Sequence, residues 1–116
     1  MISKFVYMPR FERAVKQLKK RYRNLIDDVE KILEIIEAEP TSGTVIPNDY
    51  AVRKIRVASR DMQRGKSGGY RLLYFLSETQ EKDLIAYLLF IYAKTDQADV
   101  SLTQLEALIE DIPPDD

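Results

Sequence analysis

The run LIAYLLFIYA, from Leu84 to Ala93, most limits what this chain can fold into, because its only polar side-chain atoms are two tyrosine hydroxyls. It is about half as long as the ~20 apolar residues that a helix needs to span a bilayer. Successive side chains of a β-strand point to opposite faces, so as a strand this run is apolar on both faces. It therefore predicts an interior strand of a sheet with layers packed on both sides.

Two further strand-like segments precede this run. Val52–Ala58 and Gly69–Leu76 show the period of two that is typical of strands. Only short, turn-like stretches connect the three segments, and short links between successive strands indicate an antiparallel meander. Residues 3–7 (SKFVY) are a candidate for a fourth, short strand. Residues 41–50 (TSGTVIPNDY) are rich in turn formers and are predicted to form a loop.

The N-terminal part has a helical period instead. Between Phe11 and Ile36 the apolar residues recur at steps of three and four. The stripe is long for one globular helix, so we predict a helical hairpin with its turn near Arg23–Asn24, with one long helix as the alternative. Pro40 ends the helical segment. A final helix is predicted at about Ser101–Asp111, beginning at a Ser or Thr cap.

These elements predict an α+β fold as a single domain spanning residues 1–116. It consists of two N-terminal helices packed on a small, three- to four-stranded antiparallel sheet, with a short C-terminal helix. The hydrophobic content of 45% is sufficient for one core. The N-terminus has neither the apolar core nor the small-residue cleavage site of a secretory signal, and no apolar run is long enough to cross a membrane. We therefore expect a cytoplasmic protein.

The chain has no cysteine and no histidine. Disulfides and thiolate chemistry are excluded, and the most common general base and metal ligand is missing. The acidic residues are scattered rather than clustered, so we predict no metal site and no cofactor. Any chemistry has to come from Lys, Arg, Tyr, Ser or carboxylate side chains.

Positive charge is concentrated between Arg53 and Phe75. This segment holds seven Lys or Arg residues and one acid, whereas the whole chain has 18 basic and 19 acidic residues and a net charge of −1. Because strand side chains alternate, Lys54 and Arg56 share one face about 6.5 Å apart. This spacing is close to that of adjacent phosphates on an extended nucleic-acid strand.

Cations from three strands converge on one concave region if the strands align as hairpins. Arg71 of the second strand and Lys94, beyond Tyr92 at the end of the third, then join Lys54 and Arg56. Such a region suits an anionic ligand. The alternative is an ordinary solvated face, or basic residues that protect a sheet edge. The loop between the first two strands adds Arg60, Arg64 and Lys66.

The segment after Lys94 has the opposite charge, with seven acidic residues and no basic one. Two interpretations remain open. The acidic segment either folds near the basic region and moderates its charge, or it is an ordinary acidic terminus.

The runs RKIRVASRDMQRGKSGGYRLLYF and LIAYLLFIYAKTDQADVS together resemble the RelE/ParE superfamily of bacterial toxins, and most closely its HigB/RelE-like branch. The likeness rests on the K-I-R strand, the G-K-S-G-G-Y-R entry to the next strand, and the Y-x-K segment that ends the last strand. It covers residues 45–105. The resemblance implies the RelE-like fold, with two helices against a small antiparallel sheet. It also implies the toxin of a type II toxin–antitoxin module, a ribosome-dependent mRNA interferase that is silenced by a cognate antitoxin protein, with helix-turn-helix proteins as the expected antitoxin class.

The resemblance also assigns roles. In the implied reaction a ribose 2′-hydroxyl attacks the adjacent phosphate of translated mRNA, which requires a proton acceptor, cationic stabilisation and a proton donor. Lys54 and Arg56 take the base and phosphate-binding positions, and Arg71 takes the place of a phosphate-stabilising arginine. Lys94 with Tyr92 matches the last-strand motif as acid or substrate contact. Contacts to the RNA backbone are assigned to Arg53, Arg60, Arg64 and Lys66.

The chain departs from the family pattern after the last strand. Typical members carry further arginines there and a tyrosine early in the final helix, whereas this chain has Thr95, Gln97 and Ser101. Two other functions remain open. ParE-like relatives share the fold but inhibit DNA gyrase by binding, and an attenuated member would only bind its antitoxin.

Overall fold

The computed structural model describes residues 2–47, 50–62 and 68–114 as three helices and five strands. The α+β class is confirmed. No helix in these three ranges is long and apolar enough to cross a membrane. In chain order the elements are β1 (Ile2–Tyr7), α1 (Pro9–Lys19), α2 (Leu25–Ala38), β2 (Thr44–Val45), β3 (Val52–Val57), β4 (Tyr70–Glu78), β5 (Leu84–Ala93) and α3 (Leu102–Glu110).

The strands form one sheet in the order β1-β5-β4-β3-β2. The predicted meander of β3, β4 and β5 is antiparallel, and β5 has the predicted bounds. The prediction of an all-antiparallel sheet of three to four strands is wrong, because the sheet has five strands and is mixed. β1 runs parallel to β5. A parallel pair needs a long connection, and residues 8–83 lie between these two strands.

β2 is the strand that was not predicted, because it lies within residues 41–50, which were predicted to form a loop. It has only two residues, Thr44 and Val45, which pair with Lys54 and Arg53 of β3. Two residues show no alternation that a sequence pattern could detect, so only the pairing identifies this strand.

The helices form where the sequence predicts them. Pro9 occupies the first turn of α1, where its missing N–H has no intrahelical partner to lose. α1 and α2 form the predicted hairpin, with its turn between Lys19 and Leu25. α3 begins at Ser101, whose side chain accepts from the Gln104 N–H while the Gln104 side chain accepts from the Ser101 N–H.

The sheet is covered on both faces, as the apolar β5 predicts. The α1–α2 hairpin covers one face and α3 covers the other. Leu88 of β5 lies in the core beneath the hairpin and Leu89 in the core beneath α3, and a bulge in β5 at this point places Phe90 on the same side as Leu89. The hairpin side contains the larger core, which includes Leu18, Leu25, Ile36, Tyr70, Leu72 and Tyr74.

Candidate functional site

Adjacent strands bring four of the predicted site residues to one face. Arg56 of β3 lies directly opposite Arg71 of β4, and Arg71 lies directly opposite Tyr92 of β5. Lys54 lies two residues from Arg56 on the same strand face. We call these four residues the basic cluster. They lie on the face that α3 covers, since Leu73, two residues from Arg71, packs in the core beneath that helix.

Arg71 is the most enclosed member of the basic cluster. Its side chain is only 9% exposed, and one guanidinium nitrogen donates to the carbonyl oxygens of Gly68 and Tyr70 at 3.1 Å each. These bonds fix the direction of the guanidinium. A preorganised donor of this kind suits the stabilisation of an anion, because it need not reorient when charge develops.

Arg56 and Arg71 are like charges at directly opposed positions of an antiparallel pair, which is an unfavourable arrangement by itself. Arg56 is exposed. Within residues 2–47, 50–62 and 68–114, no carboxylate forms an ion pair with either guanidinium. An anion bound between the two would relieve their repulsion, so this pair is the strongest sign of an anion-binding site.

Asp99 lies at the edge of the basic cluster. One oxygen of its carboxylate accepts from Lys54 Nζ at 3.1 Å and from the Val100 N–H at 2.9 Å, and lies 3.5 Å from the Tyr92 hydroxyl. Partial burial opposes ionisation of this carboxyl, but the Lys54 and Val100 donors outweigh it and hold its pKa below the usual range. The nearest charged partner of Lys54 is therefore this carboxylate rather than a neighbouring arginine.

Tyr92 is buried at the end of β5, with its ring stacked near Phe90 at a centroid distance of 6.0 Å. Burial raises the pKa of its hydroxyl to about 12, and the Asp99 charge adds to this effect while Arg71 opposes it. The hydroxyl therefore keeps its proton at neutral pH and serves as a hydrogen-bond donor.

Lys94 stabilises the turn that follows β5. Its ammonium donates to the Ala98 carbonyl oxygen at 2.6 Å, and its backbone N–H donates to Gly69 at 3.0 Å. Its charge also lies near enough to Asp99 to help lower the pKa of that carboxyl. Lys94 therefore lies beside the basic cluster, with its side chain engaged in the turn.

The predicted RNA contacts Arg53 and Arg60 do not join the basic cluster. Arg53 alternates to the opposite face, where it donates to the carbonyl oxygens of Thr41 at 3.3 Å and Gly43 at 2.7 Å. Arg60 pairs with Asp27 of α2 at 3.3 Å. Arg53 thus connects β3 to the loop after α2, and Arg60 connects the segment after β3 to α2 itself. The two other predicted contacts, Arg64 and Lys66, lie outside the described residues.

Sequence reasoning missed Asp99 as part of the site. The acidic segment after Lys94 was the available signal, since one interpretation of it was that it folds near the basic region. Nothing in its local spacing singles out Asp99 from Asp96, which instead pairs with Arg21 of the turn after α1 at 2.6 Å.

No model of a known protein family matches the chain, and no curated protein matches it either.

The raised pKa of Tyr92 predicts an alkaline loss of stability. The folded state favours the protonated Tyr92 hydroxyl. The stability that this preference contributes is complete below pH 10 and is lost as the pH rises through about 12. A pKa difference of about two units between the folded and unfolded states corresponds to about 3 kcal/mol of unfolding free energy at most. Urea unfolding between pH 9 and 12 should show that Tyr92→Phe loses less stability than the parent.

The matched control for this prediction is Tyr7→Phe, which changes a tyrosine that is 52% exposed. It should keep the parent's pH dependence. Equal alkaline losses in the parent and in Tyr92→Phe would contradict the assignment of the effect to Tyr92.

Proposed function

We propose that this protein is a metal-independent endoribonuclease, the toxin of a type II toxin–antitoxin module that cleaves mRNA on the ribosome. The observation that carries the proposal is the row formed by Arg56, Arg71 and Tyr92 across three adjacent strands, with Lys54 beside it. Two guanidinium groups that no carboxylate of the described residues pairs with, together with a protonated phenol on the same face, suit a phosphodiester. The RelE-like sequence features on the same strands suggest which phosphodiester it is.

In the proposed reaction the ribose 2′-oxygen forms a bond to the adjacent phosphorus, and the bond from phosphorus to the 5′-oxygen breaks. The products are a 2′,3′-cyclic phosphate and a free 5′-hydroxyl. Arg56 and Arg71 bind the non-bridging oxygens, where negative charge increases in the transition state. Their positions on neighbouring strands allow both to contact one phosphate.

Two proton transfers complete the reaction. Lys54, after release from Asp99, accepts the proton of the 2′-hydroxyl in its neutral amine form. Tyr92 donates its proton to the leaving 5′-oxygen, for which a phenol that stays protonated at neutral pH is suited. Lys94 stays near enough to contribute positive charge. These roles need no histidine, in agreement with the composition.

The proposal implies a protein partner and a compartment. A toxin of this class acts on ribosomes in the cytoplasm and is silenced by an antitoxin, for which a helix-turn-helix protein encoded by a neighbouring gene is the expected candidate. Co-expression with that neighbour should restore growth. A stable complex of the two purified proteins would support the assignment of the partner.

The direct test is to add the purified protein to a translating extract and map message ends by primer extension. New ends within translated codons, with 2′,3′-cyclic phosphates and only when ribosomes are present, are expected. Intact message contradicts the proposal. An SOS response with intact message would instead indicate the gyrase-inhibiting alternative, and no growth arrest at all would indicate an attenuated antitoxin binder.

A further inference from the structure

The segment that follows β5 crosses the edge of the basic cluster and is held there by side-chain contacts. We call residues 94–101 the acidic strap. It is fixed to the turn after α1 by Arg21, which binds both oxygens of Asp96 at 2.6 and 3.0 Å. It is fixed to β3 by the contact between Lys54 and Asp99. Within the strap, the Gln97 amide donates to the Asp99 carbonyl at 2.9 Å.

The surroundings of the Asp99 carboxylate are those of a bound anion. A single oxygen lies within 3.5 Å of an ammonium, a phenolic hydroxyl and a backbone N–H, contributed by Lys54, Tyr92 and Val100. These are the donor types that bind phosphate oxygens in proteins. Lys54 and Tyr92 are also two of the four members of the basic cluster.

We propose that Asp99 is an internal competitor for the anion site, and that a phosphate group must displace it before the basic cluster is complete. The inference rests on the anion site of the proposed function, although not on the cleavage reaction. In the closed arrangement the carboxylate neutralises Lys54 and occupies one position at which a phosphate oxygen would bind. In the open arrangement Lys54 and Tyr92 become available next to Arg56 and Arg71.

The contact is of a strength that a substrate can overcome. Lys54 and Asp99 have side chains that are 31% and 62% exposed, and ion pairs at such positions are weak. A phosphodiester that also contacts Arg56 and Arg71 gains two further cations, which Asp99 does not contact. The strap therefore reduces the apparent affinity for anions by the fraction of molecules that are closed, without preventing binding.

The strap also has a role in selecting the ligand. A lone anion gains little from Lys54 alone, because Asp99 competes for it. A ligand that spans the basic cluster, such as an RNA strand with successive phosphates, gains enough contacts to open the strap. We therefore expect discrimination in favour of extended polyanions over single small anions.

The test uses Asp99→Asn, which keeps the shape of the side chain and an oxygen that can accept from the Val100 N–H. Binding of inorganic pyrophosphate to the full-length protein is followed by NMR titration of backbone amides. The variant should bind pyrophosphate about 5-fold more tightly than the parent, with the largest changes at residues 54, 92 and 100. Asp99→Ala is the second variant and should shift the affinity in the same direction.

The matched control is Asp111→Asn, which removes a carboxylate that pairs with Arg10 at 3.1 Å at the end of α3. It changes the net charge equally and should leave the affinity as in the parent. In a Lys54→Met background the gain from Asp99→Asn should disappear, since the two effects act through one contact. Unchanged or weaker binding by Asp99→Asn overturns the inference.

Failure of this inference and failure of the proposed function give different results. Suppose that Asp99→Asn binds pyrophosphate more tightly but message stays intact in the translating extract. This result would contradict the proposed nuclease activity and support the proposal that Asp99 competes for the anion site. If the parent cleaves message but Asp99→Asn gains no affinity for pyrophosphate, the proposed nuclease activity is supported and the proposal that Asp99 competes for the anion site is overturned. Loss of cleavage in Asp99→Asn without tighter binding would instead assign Asp99 to the reaction itself, and it likewise overturns the inference.

Discussion

Replacing Arg71 by alanine is expected to lower the rate of mRNA cleavage by about 10²–10³-fold, the usual cost of removing one preorganised donor to a transition-state oxyanion. Arg71 is the buried member of the basic cluster, and its guanidinium is held in place by the Gly68 and Tyr70 carbonyl oxygens. Among the described residues, Arg56 comes from the adjacent strand and is exposed, so it does not take over this position. Cleavage in the translating extract measures the effect.

The matched control for Arg71→Ala is Arg53→Ala. Arg53 is also an arginine that donates to two carbonyl oxygens, those of Thr41 and Gly43, but it lies on the opposite face of the sheet. Both variants lose two hydrogen bonds of the same kind, but Arg71 is buried and Arg53 half-buried, so thermal unfolding should show a somewhat larger loss of stability for Arg71→Ala. Only Arg71→Ala should lose cleavage. Cleavage by a folded Arg71→Ala at the parent's rate would remove Arg71 from the proposed mechanism.

Arg71→Lys separates charge from geometry. Lysine keeps the positive charge but has a single ammonium in place of a planar guanidinium, which holds both carbonyl oxygens with one nitrogen and carries further N–H donors on the others. We expect cleavage to be recovered only in part. Full recovery would indicate that charge alone is required at this position.

Gly69→Ala is expected to lower the free energy of unfolding by about 3 kcal/mol, which is large for one methyl group. Gly69 has a φ of +74°, where an L side chain is strained by about 1–2 kcal/mol. A Cβ atom there would also lie 2.4 Å from the Val57 carbonyl oxygen. The oxygen belongs to the backbone of β3, so relief requires the β3–β4 pair to move. Urea unfolding at neutral pH measures the loss.

Gly69→Ala should lower mRNA cleavage as well as stability. The glycine lies two residues before Arg71, and its carbonyl accepts the Lys94 N–H at 3.0 Å, so a shift there disturbs the row of opposed residues. Gly69→Asn distinguishes the strain of the positive φ from the close contact between a Cβ atom and the Val57 carbonyl oxygen. Asparagine tolerates a positive φ but still carries a Cβ atom, so it should remain destabilised if the contact with Val57 dominates.

A control for backbone strain alone is Ala51→Gly. Ala51 has a φ of 59° and is exposed, so glycine removes strain there without removing a packed side chain. The change should be small, within about 1 kcal/mol, because the released strain offsets the added freedom of the unfolded chain. A Gly69→Ala variant as stable as the parent would show that the turn can rearrange at little cost.

Local patterns were sufficient for every described element except β2, which lies in the segment predicted to be a loop. The steps of three and four place both N-terminal helices, and the apolar run from Leu84 to Ala93 coincides with β5. Alternation also determines that Lys54 and Arg56 share a face and that Arg53 does not. These features could be predicted because each depends on the geometry of a single helix or strand, which repeats within a few residues.

Alternation along each strand establishes which side chains that strand presents on each face. The folded chain alone shows that Arg56, Arg71 and Tyr92 form one row, that β1 pairs parallel to β5, and that Asp99 contacts Lys54 across 45 residues of sequence. Strand order, register and the path of a connecting segment are set by the packing of the whole core against both faces of the sheet. A short window of sequence contains no measure of that packing, so the row and its acidic competitor become visible only when the chain is folded.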